Sequence, residues 1–257
     1  MEKIAVGPSA KISISVVSHA QIHLVKDLLH DIDKHCRSSS IGVILTLNLE
    51  ETLPFAVDGF SFPMTIIRNA TPKGFAANHN QAFEHAAGRY YCVMNPDIRL
   101  EVDPFPALIG CLQDTSIGGV APIVVDGKGE MEDSARRFPT PLRIFCKAFG
   151  GCKGIDYAMR EETLFPDWVG GMFMLFPSGV FRKIKGFDTR YFMYYEDVDL
   201  CARLTLCGYR VALCHEVSVI HEARRASHAN LRHLRWHVMS ALRFFLSPVY
   251  RQLKYRK

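Results

Sequence analysis

Short apolar runs alternate with amphipathic stretches through the first half of the chain, and this alternation narrows the possible folds more than any other feature. Residues 12–17, ISISVV, form a β-branched run suited to a buried strand. Residues 21–35 then carry Ile22, Val25, Leu28, Leu29 and Ile32 at helical spacing. Residues 42–47, GVILTL, read as a second strand and 64–67 as a short third. Residues 74–88 are a helix candidate closed by Gly88, and 90–94, YYCVM, a fourth strand. Further on, a helix is expected over 105–113 and strands over 119–125, 172–176, 210–214 and 217–220. Strands alternating with helices predict an α/β fold whose mostly parallel, doubly wound sheet is flanked by helices. The stretch 126–166, with scattered Gly and Pro, predicts long loops with some helix, where ligand-specific contacts concentrate.

The chain has 257 residues, 48% of them hydrophobic and 22% charged, which suits one large domain with a short appendage. Neither a secretory h-region nor a bilayer-length apolar stretch is present, so a cytoplasmic protein is expected. Cys36, Cys92, Cys111, Cys146, Cys152, Cys201, Cys207 and Cys214 show no CxxC pair or zinc-ligand spacing and read as reduced core thiols. Charge is uneven. Nine Lys or Arg but one acid, Glu222, lie between His221 and Lys257, while the whole chain carries only +5. The body is therefore mildly acidic and the tail basic, which suggests a polyanionic partner: a membrane surface, a nucleic acid or a phosphorylated substrate.

The chemistry concentrates in GFDTRYFMYYEDVDLCARL, residues 186–204. Tyr191, Phe192, Tyr194 and Tyr195 lead into Glu196, Asp197 and Asp199 at the start of an apolar-periodic helix. Aromatic shielding raises a carboxyl pKa and suits a general base, while the helix dipole lowers it, so residue order leaves the net shift open. Asn95-Pro96-Asp97 follows the fourth strand, at the carboxyl end of which open parallel sheets bind ligands. There Asp97 could hold a hard cation, or the tripeptide could be a turn. In NATPKGFAANHN, residues 69–80, Gly74, Ala76 and Ala77 allow close approach to a helix start that can meet phosphate or ribose oxygens. Gly170 and Gly171 suggest backbone near a ligand or a bulge, and Trp168 a flat face for a sugar or a core residue. His221, closing the last apolar run, is either structural or a nitrogen ligand completing a metal site with Asp97.

Together these segments resemble the family 2 glycosyltransferases of GT-A fold, most closely the bacterial rhamnosyltransferase-like group. The resemblance runs from the first strand to about His221. It is most specific in GFDTRYFMYYEDVDLCARLTLCGYRV and is supported by GFAANHN, NPD and WVGGMFML. It implies a Rossmann-like GT-A domain over residues 1–222 and leaves 223–257 as a basic amphipathic helical tail. It also implies Mg²⁺ or Mn²⁺ on Asp97 and His221, Asp197 as catalytic base and Glu196 as its support. Asn48, Asn69, Gly74, Asn78, Asn95 and Asp97 would meet the nucleotide sugar, and Trp168, Gly170 and Gly171 the acceptor. The expected donor is dTDP-rhamnose, with UDP- or GDP-sugars as alternatives, and the acceptor a glycan or lipid-linked hydroxyl in cell-surface polysaccharide synthesis. Leu47 stands where the family carries an acid before Asn48, which weakens the expected base and ribose contacts.

Three other readings stay open. A nucleotidyltransferase of similar fold would carry a glycine-rich basic loop near the first strand, which ISVVSHAQIH lacks. A non-catalytic nucleotide-sugar-binding protein would not need the intact acidic run. A nucleic-acid partner explains the basic tail but not the acid-rich crevice. Within the tail, Leu231, Leu234, Val238, Ala241, Leu242 and Phe245 fall on one face of a helix over 227–246, among Arg232, Arg235 and Arg243. Such a helix can lie on an anionic bilayer, placing the protein at the cytosolic face of a membrane, or can pack on the domain.

Overall fold

The apolar run Ile12–Ser18 (β1) lies near the middle of an eight-stranded sheet, flanked in parallel by Ile41–Leu47 (β2) and Tyr90–Met94 (β4). Met64–Arg68 (β3) extends β2 in parallel. These strands are buried almost end to end, as parallel strands covered on both faces must be. The computed structural model describes residues 11–148, 156–157, 162–222 and 231–255. Cys152, Arg224, Arg225, Arg256, Lys257 and the expected helix start at 227–230 lie outside the described residues.

The second half departs from the parallel expectation. Phe173–Pro177 (β9) inserts antiparallel between β4 and Ile117–Val125 (β6). Arg210–His221 (β10) then runs parallel to β6, and the two-residue Ile98–Arg99 (β5) pairs antiparallel with its end. The order is β3-β2-β1-β4-β9-β6-β10-β5. An apolar run such as MFMLF buries equally well in either direction, so periodicity could not reveal its reversal. The two expected late strands are one, with a register irregularity between Cys214 and Ser218 where the pattern breaks. A separate ribbon pairs Ala135–Arg136 (β7) with Trp168–Val169 (β8).

Helices Ile22–His35 (α1) and Phe105–Cys111 (α3) cover one part of the sheet. Phe75–Phe83 (α2), Ser178–Lys183 (α5) and Glu196–Leu206 (α6) contribute to the remaining packing. Pro141–Ala148 (α4) lies within the loop-rich middle of the chain. Gly88 does not close α2, which ends at Phe83 with Glu84 as its C-cap. It lies where a Cβ would sit 2.8 Å from the Ser13 nitrogen, so its role is close approach to β1. Among the described cysteines all are free, but Cys207 is exposed and Cys111 and Cys146 half-buried, so not all are core thiols.

In the tail, Leu231–Leu246 (α7) and Pro248–Tyr255 (α8) pack on α6. The expected apolar face divides. Ala241 and Phe245 turn inward with buried Phe244, whereas Leu234, Val238 and Leu242 are exposed together with Met239 and Leu246. Among the described residues, no helix is long and apolar enough to cross a membrane.

Candidate active site

Strand pairing gathers the first group of acids. Because β9 starts beside the end of β4, the Asn95 N–H reaches the Met172 carbonyl at 2.8 Å, and Asp97 follows two residues later. The β5–β10 register sets His221 opposite Ile98, and the Asp97 carbonyl accepts the Glu222 N–H at 3.0 Å. His221 is thereby held between two carboxylates. Its Nδ1 lies 2.8 Å from Glu132 Oε2 and its Nε2 3.5 Å from Asp97 Oδ1. The second contact is an ion pair but too poor for a hydrogen bond, leaving Asp97 Oδ1 buried without a hydrogen-bond partner. Burial opposes the imidazolium, yet Asp97 and Glu132 outweigh it and raise the His221 pKa to about 9.

The second group is built at the start of α6. Tyr194 and Tyr195 both adopt left-handed backbone, φ +68° in each. For bulky side chains this costs on the order of 1–3 kcal/mol apiece and marks functional loops. The turn delivers Asp197 to the paired glycines: its Oδ2 accepts the Gly171 N–H at 3.1 Å and its Oδ1 the Val198 N–H at 2.8 Å. Gly171 thus holds the acid through its backbone. Burial raises the Asp197 pKa, resisted by the N–H groups of Val198 and Gly171 and by nearby Arg136. Glu196 is buried with Oε2 unpartnered, and burial followed by the charge of Asp197 drives its pKa well up. The helix dipole therefore loses to desolvation.

Both groups stand on the same sheet edge, joined by two short paths. Gly171, which holds Asp197, precedes Met172, whose carbonyl holds Asn95 beside Asp97. Gly170 donates to the Ser134 carbonyl at 2.8 Å, and Ser134 lies two residues from Glu132. A separate cavity of about 600 Å³, lined by Cys36, Arg37, Ser39, Ser61 and Phe62, includes none of these residues.

The remainder of the GFD…EDVDLCAR run is a clamp. Gly186 has φ +62°, and a Cβ there would lie 2.4 Å from Asn80 Oδ1, the atom that accepts the Phe187 N–H. Buried Asp199 pairs with Arg203 at 2.7 Å, and Arg203 also donates to the carbonyls of Ile184 and Gly186. Gly74 likewise packs against this loop. The Phe192 carbonyl accepts the Phe75 N–H at 3.1 Å, and a Gly74 Cβ would lie 2.3 Å from that carbonyl oxygen. Gly74→Ala should therefore lower stability by at least about 1–3 kcal/mol, the usual cost of overpacking against unyielding backbone. Urea denaturation checks this, and an unshifted midpoint would show that the loop gives way.

On the donor side, Asn48, Asn69 and Asn78 knit the end of β2 to the loop before α2. Asn69 Nδ2 donates to Asn48 Oδ1 at 2.8 Å and to Asn78 Oδ1 at 2.7 Å, and the Lys73 N–H donates to Asn48 Oδ1. Asn48 and Asn78 are buried and engaged in this network, whereas Asn69 Oδ1 is buried without a partner. Glu51 takes the N–H groups of Ala20 and Ile22 and the Ser18 hydroxyl, capping α1 beside this edge. Half-buried Trp168 spends its indole N–H on the Arg137 carbonyl, with the Arg136 guanidinium 5.6 Å from its ring centre. Glu132, Glu51 and Arg136 were not singled out by sequence reasoning. Glu132 and Arg136 lie in the mixed-charge stretch EMEDSARRF, and no motif marks them or Glu51.

No family model matches the chain. Rhamnosyltransferase WbbL of Escherichia coli (strain K12) is 29% identical over 252 residues, covering 90% of this chain and 91% of its own length. An N-acetylglucosaminyl-diphospho-decaprenol L-rhamnosyltransferase of Mycobacterium tuberculosis is 30% identical over 145 residues, 50% of this chain and 45% of the relative. Among solved structures, GalNAc-T7 with UDP, GalNAc and Mn²⁺ superposes with a TM-score of 0.68 at 13% identity, over 92% of this chain and 47% of that one. That likeness establishes the fold, and the sequence matches point to rhamnosyltransferases. With the ED acids, the NPD turn and the paired glycines on one edge of this sheet, the chain has the GT-A glycosyltransferase fold and is similar over 90% of its length to a bacterial rhamnosyltransferase.

Proposed function

We propose that the chain transfers a sugar, with inversion, from a nucleotide-sugar donor to a hydroxyl of a glycan or lipid-linked acceptor. The observation that carries this reading is Asp197, held by two backbone N–H groups on the sheet edge that also holds Asp97, Glu132 and His221. Asp197 receives the proton of the acceptor hydroxyl as its oxygen attacks the anomeric carbon opposite the leaving diphosphate. Burial raises its proton affinity toward what that transfer needs, and the Gly171 and Val198 N–H groups fix its direction. The Arg136 guanidinium balances the charge of the ionised acid. Gly170 and Gly171 bring backbone rather than side chains to the acceptor side.

Asp97 and His221 would hold Mg²⁺ or Mn²⁺, and Glu132 orients His221 through Nδ1, as carboxylates behind metal-binding imidazoles do. The orphaned Asp97 Oδ1 facing His221 Nε2 fits such a role. Among the described residues no group of three His, Cys, Asp or Glu side chains is placed to hold a metal ion, so a cation on Asp97 and His221 would need further oxygen ligands from diphosphate and water. When bound, the ion supplies charge stabilisation to the departing diphosphate. Asp97→Ala should abolish Mn²⁺-dependent strengthening of donor binding. Calorimetric titration with and without Mn²⁺ tests it, and an unchanged metal effect would remove Asp97 from this role.

For the donor we propose dTDP-rhamnose, supported by the two rhamnosyltransferase relatives. Asn69 Oδ1 would offer an acceptor to a ribose hydroxyl or base N–H, and Asn95, two residues before Asp97, would lie towards the diphosphate, while Asn48 and Asn78 hold that loop in place. Thermal shifts with dTDP-, UDP- and GDP-sugars in Mg²⁺ or Mn²⁺ discriminate the alternatives, and stabilisation by UDP- or GDP-sugars alone would overturn the choice. For the acceptor we favour a lipid-linked glycan, because the mycobacterial relative is named for a diphospho-decaprenol substrate. The exposed face of α7 supports this: Leu234, Leu242 and Leu246 are 61%, 52% and 77% exposed, with exposed Arg235 and Arg243 on the same helix. The full chain should float with anionic vesicles, and Leu234→Glu with Leu242→Glu should abolish flotation. Equal flotation of both proteins would sink the membrane role.

A further inference from the structure

We propose that α7, although it follows the last sheet strand, is a working part of the transfer site, with His233 and Ser240 as positioning residues for Asp197. Each of the four residues leading into the acids touches it. The Phe192 and Trp236 rings are 5.0 Å apart. The Ser240 hydroxyl donates to the Met193 carbonyl at 2.9 Å. The Tyr194 hydroxyl and His233 Nδ1 share a hydrogen bond of 2.8 Å. Tyr195 packs on His237 at 5.4 Å and on buried Phe244 at 5.8 Å. Positions 233, 236, 237, 240 and 244 recur at helical spacing and define one face. That face meets the two residues with left-handed backbone, a conformation that persists only when its surroundings over-determine it.

From α2, the Phe75 N–H donates to the Phe192 carbonyl. α7 contacts each of residues 192–195. The helix thus fixes the turn that aims Asp197 at Gly171, and its outer face carries the exposed leucines. The inference rests on Asp197 being the base, since only then does the angle of this turn set a rate.

His233→Ala and Tyr194→Phe should each lower kcat on the order of 10- to 100-fold, the effect of a small misalignment of reacting groups. The double variant should be no worse than either single one, because both remove one hydrogen bond. Donor affinity by calorimetry should stay at the wild-type value, and His233→Asn, which can restore a polar partner to Tyr194, should recover most of kcat. If the variants keep wild-type kcat, or lose donor affinity in step with kcat, the helix is packing alone and the inference falls. Should His233→Ala misfold by circular dichroism, Tyr194→Phe, which removes one oxygen, decides by the same criteria. Asp197→Asn, assayed alongside, separates the two readings. Its full activity would overturn the base assignment, whereas its inactivity beside a fully active Tyr194→Phe would overturn only the role of α7.

Discussion

Asp197→Asn should lower turnover by about 10²- to 10⁴-fold, the usual worth of general-base help, while donor affinity stays unchanged. The asymmetry follows from the site. The amide oxygen can still accept one of the two N–H bonds that hold the carboxylate, from Gly171 at 3.1 Å and Val198 at 2.8 Å, so the loop keeps its shape. What disappears is the lone pair able to take the acceptor's proton. Burial raises the Asp197 pKa, so kcat/KM should fall with acid at a higher pH than an ordinary carboxylate would give. Glu196→Gln is the companion variant. Burial favours the neutral form of Glu196, which an amide resembles, so its loss should be the smaller. Single-turnover transfer with saturating donor checks both. Equal rates for wild type and Asp197→Asn would end the role of Asp197 as base.

The buried half of this architecture could be read from residue order because strands such as ISISVV and GVILTL are apolar without interruption, which only a covered sheet accommodates. Strand direction could not, and the reversal of β9 is what brings Gly171 beside Asn95. The ED acids and the NPD turn were legible because their neighbours form local patterns. Glu132 was not, since nothing local to EMEDSARRF shows that a strand ending at His221 will arrive 2.8 Å away. Gly74 illustrates a subtler limit. A small residue at a helix start announces close approach but not what approaches, and here it is the Phe192 carbonyl. The tail misled for a related reason. Its apolar positions were assigned to one face, yet they divide between an inner face against the Tyr194–Tyr195 turn and an outer one in solvent.

Acid should unfold this protein through His79 as well as through its carboxylates. His79 is 1% exposed on α2, bonded to Ser15 Oγ at 2.8 Å and tilted against Phe75 at 4.3 Å between ring centres. Burial lowers its pKa from 6.5 to about 3. The unfolded chain therefore binds a proton that the native state refuses across this interval. The stabilisation is fully present above pH 6.5 and drains away as pH falls towards 3. At about 1.4 kcal/mol per pH unit, this one imidazole removes on the order of 4–5 kcal/mol, a large part of a domain's usual stability. Asp197, Asp199 and Glu196 act in the opposite sense, because their raised pKa values make protonation favour the native state. They are common to wild type and variant, so His79→Gln isolates the histidine. The variant should be less stable at neutral pH, where the Ser15 contact is disturbed, yet its stability should fall more shallowly with acid, by about 1.4 kcal/mol per unit below pH 6.5. Urea denaturation at half-unit intervals from pH 7.5 to 4 measures the two slopes. Parallel slopes would mean that His79 takes up its proton inside the fold, which the apolar packing of α2 against β1 and Phe187 does not permit without opening.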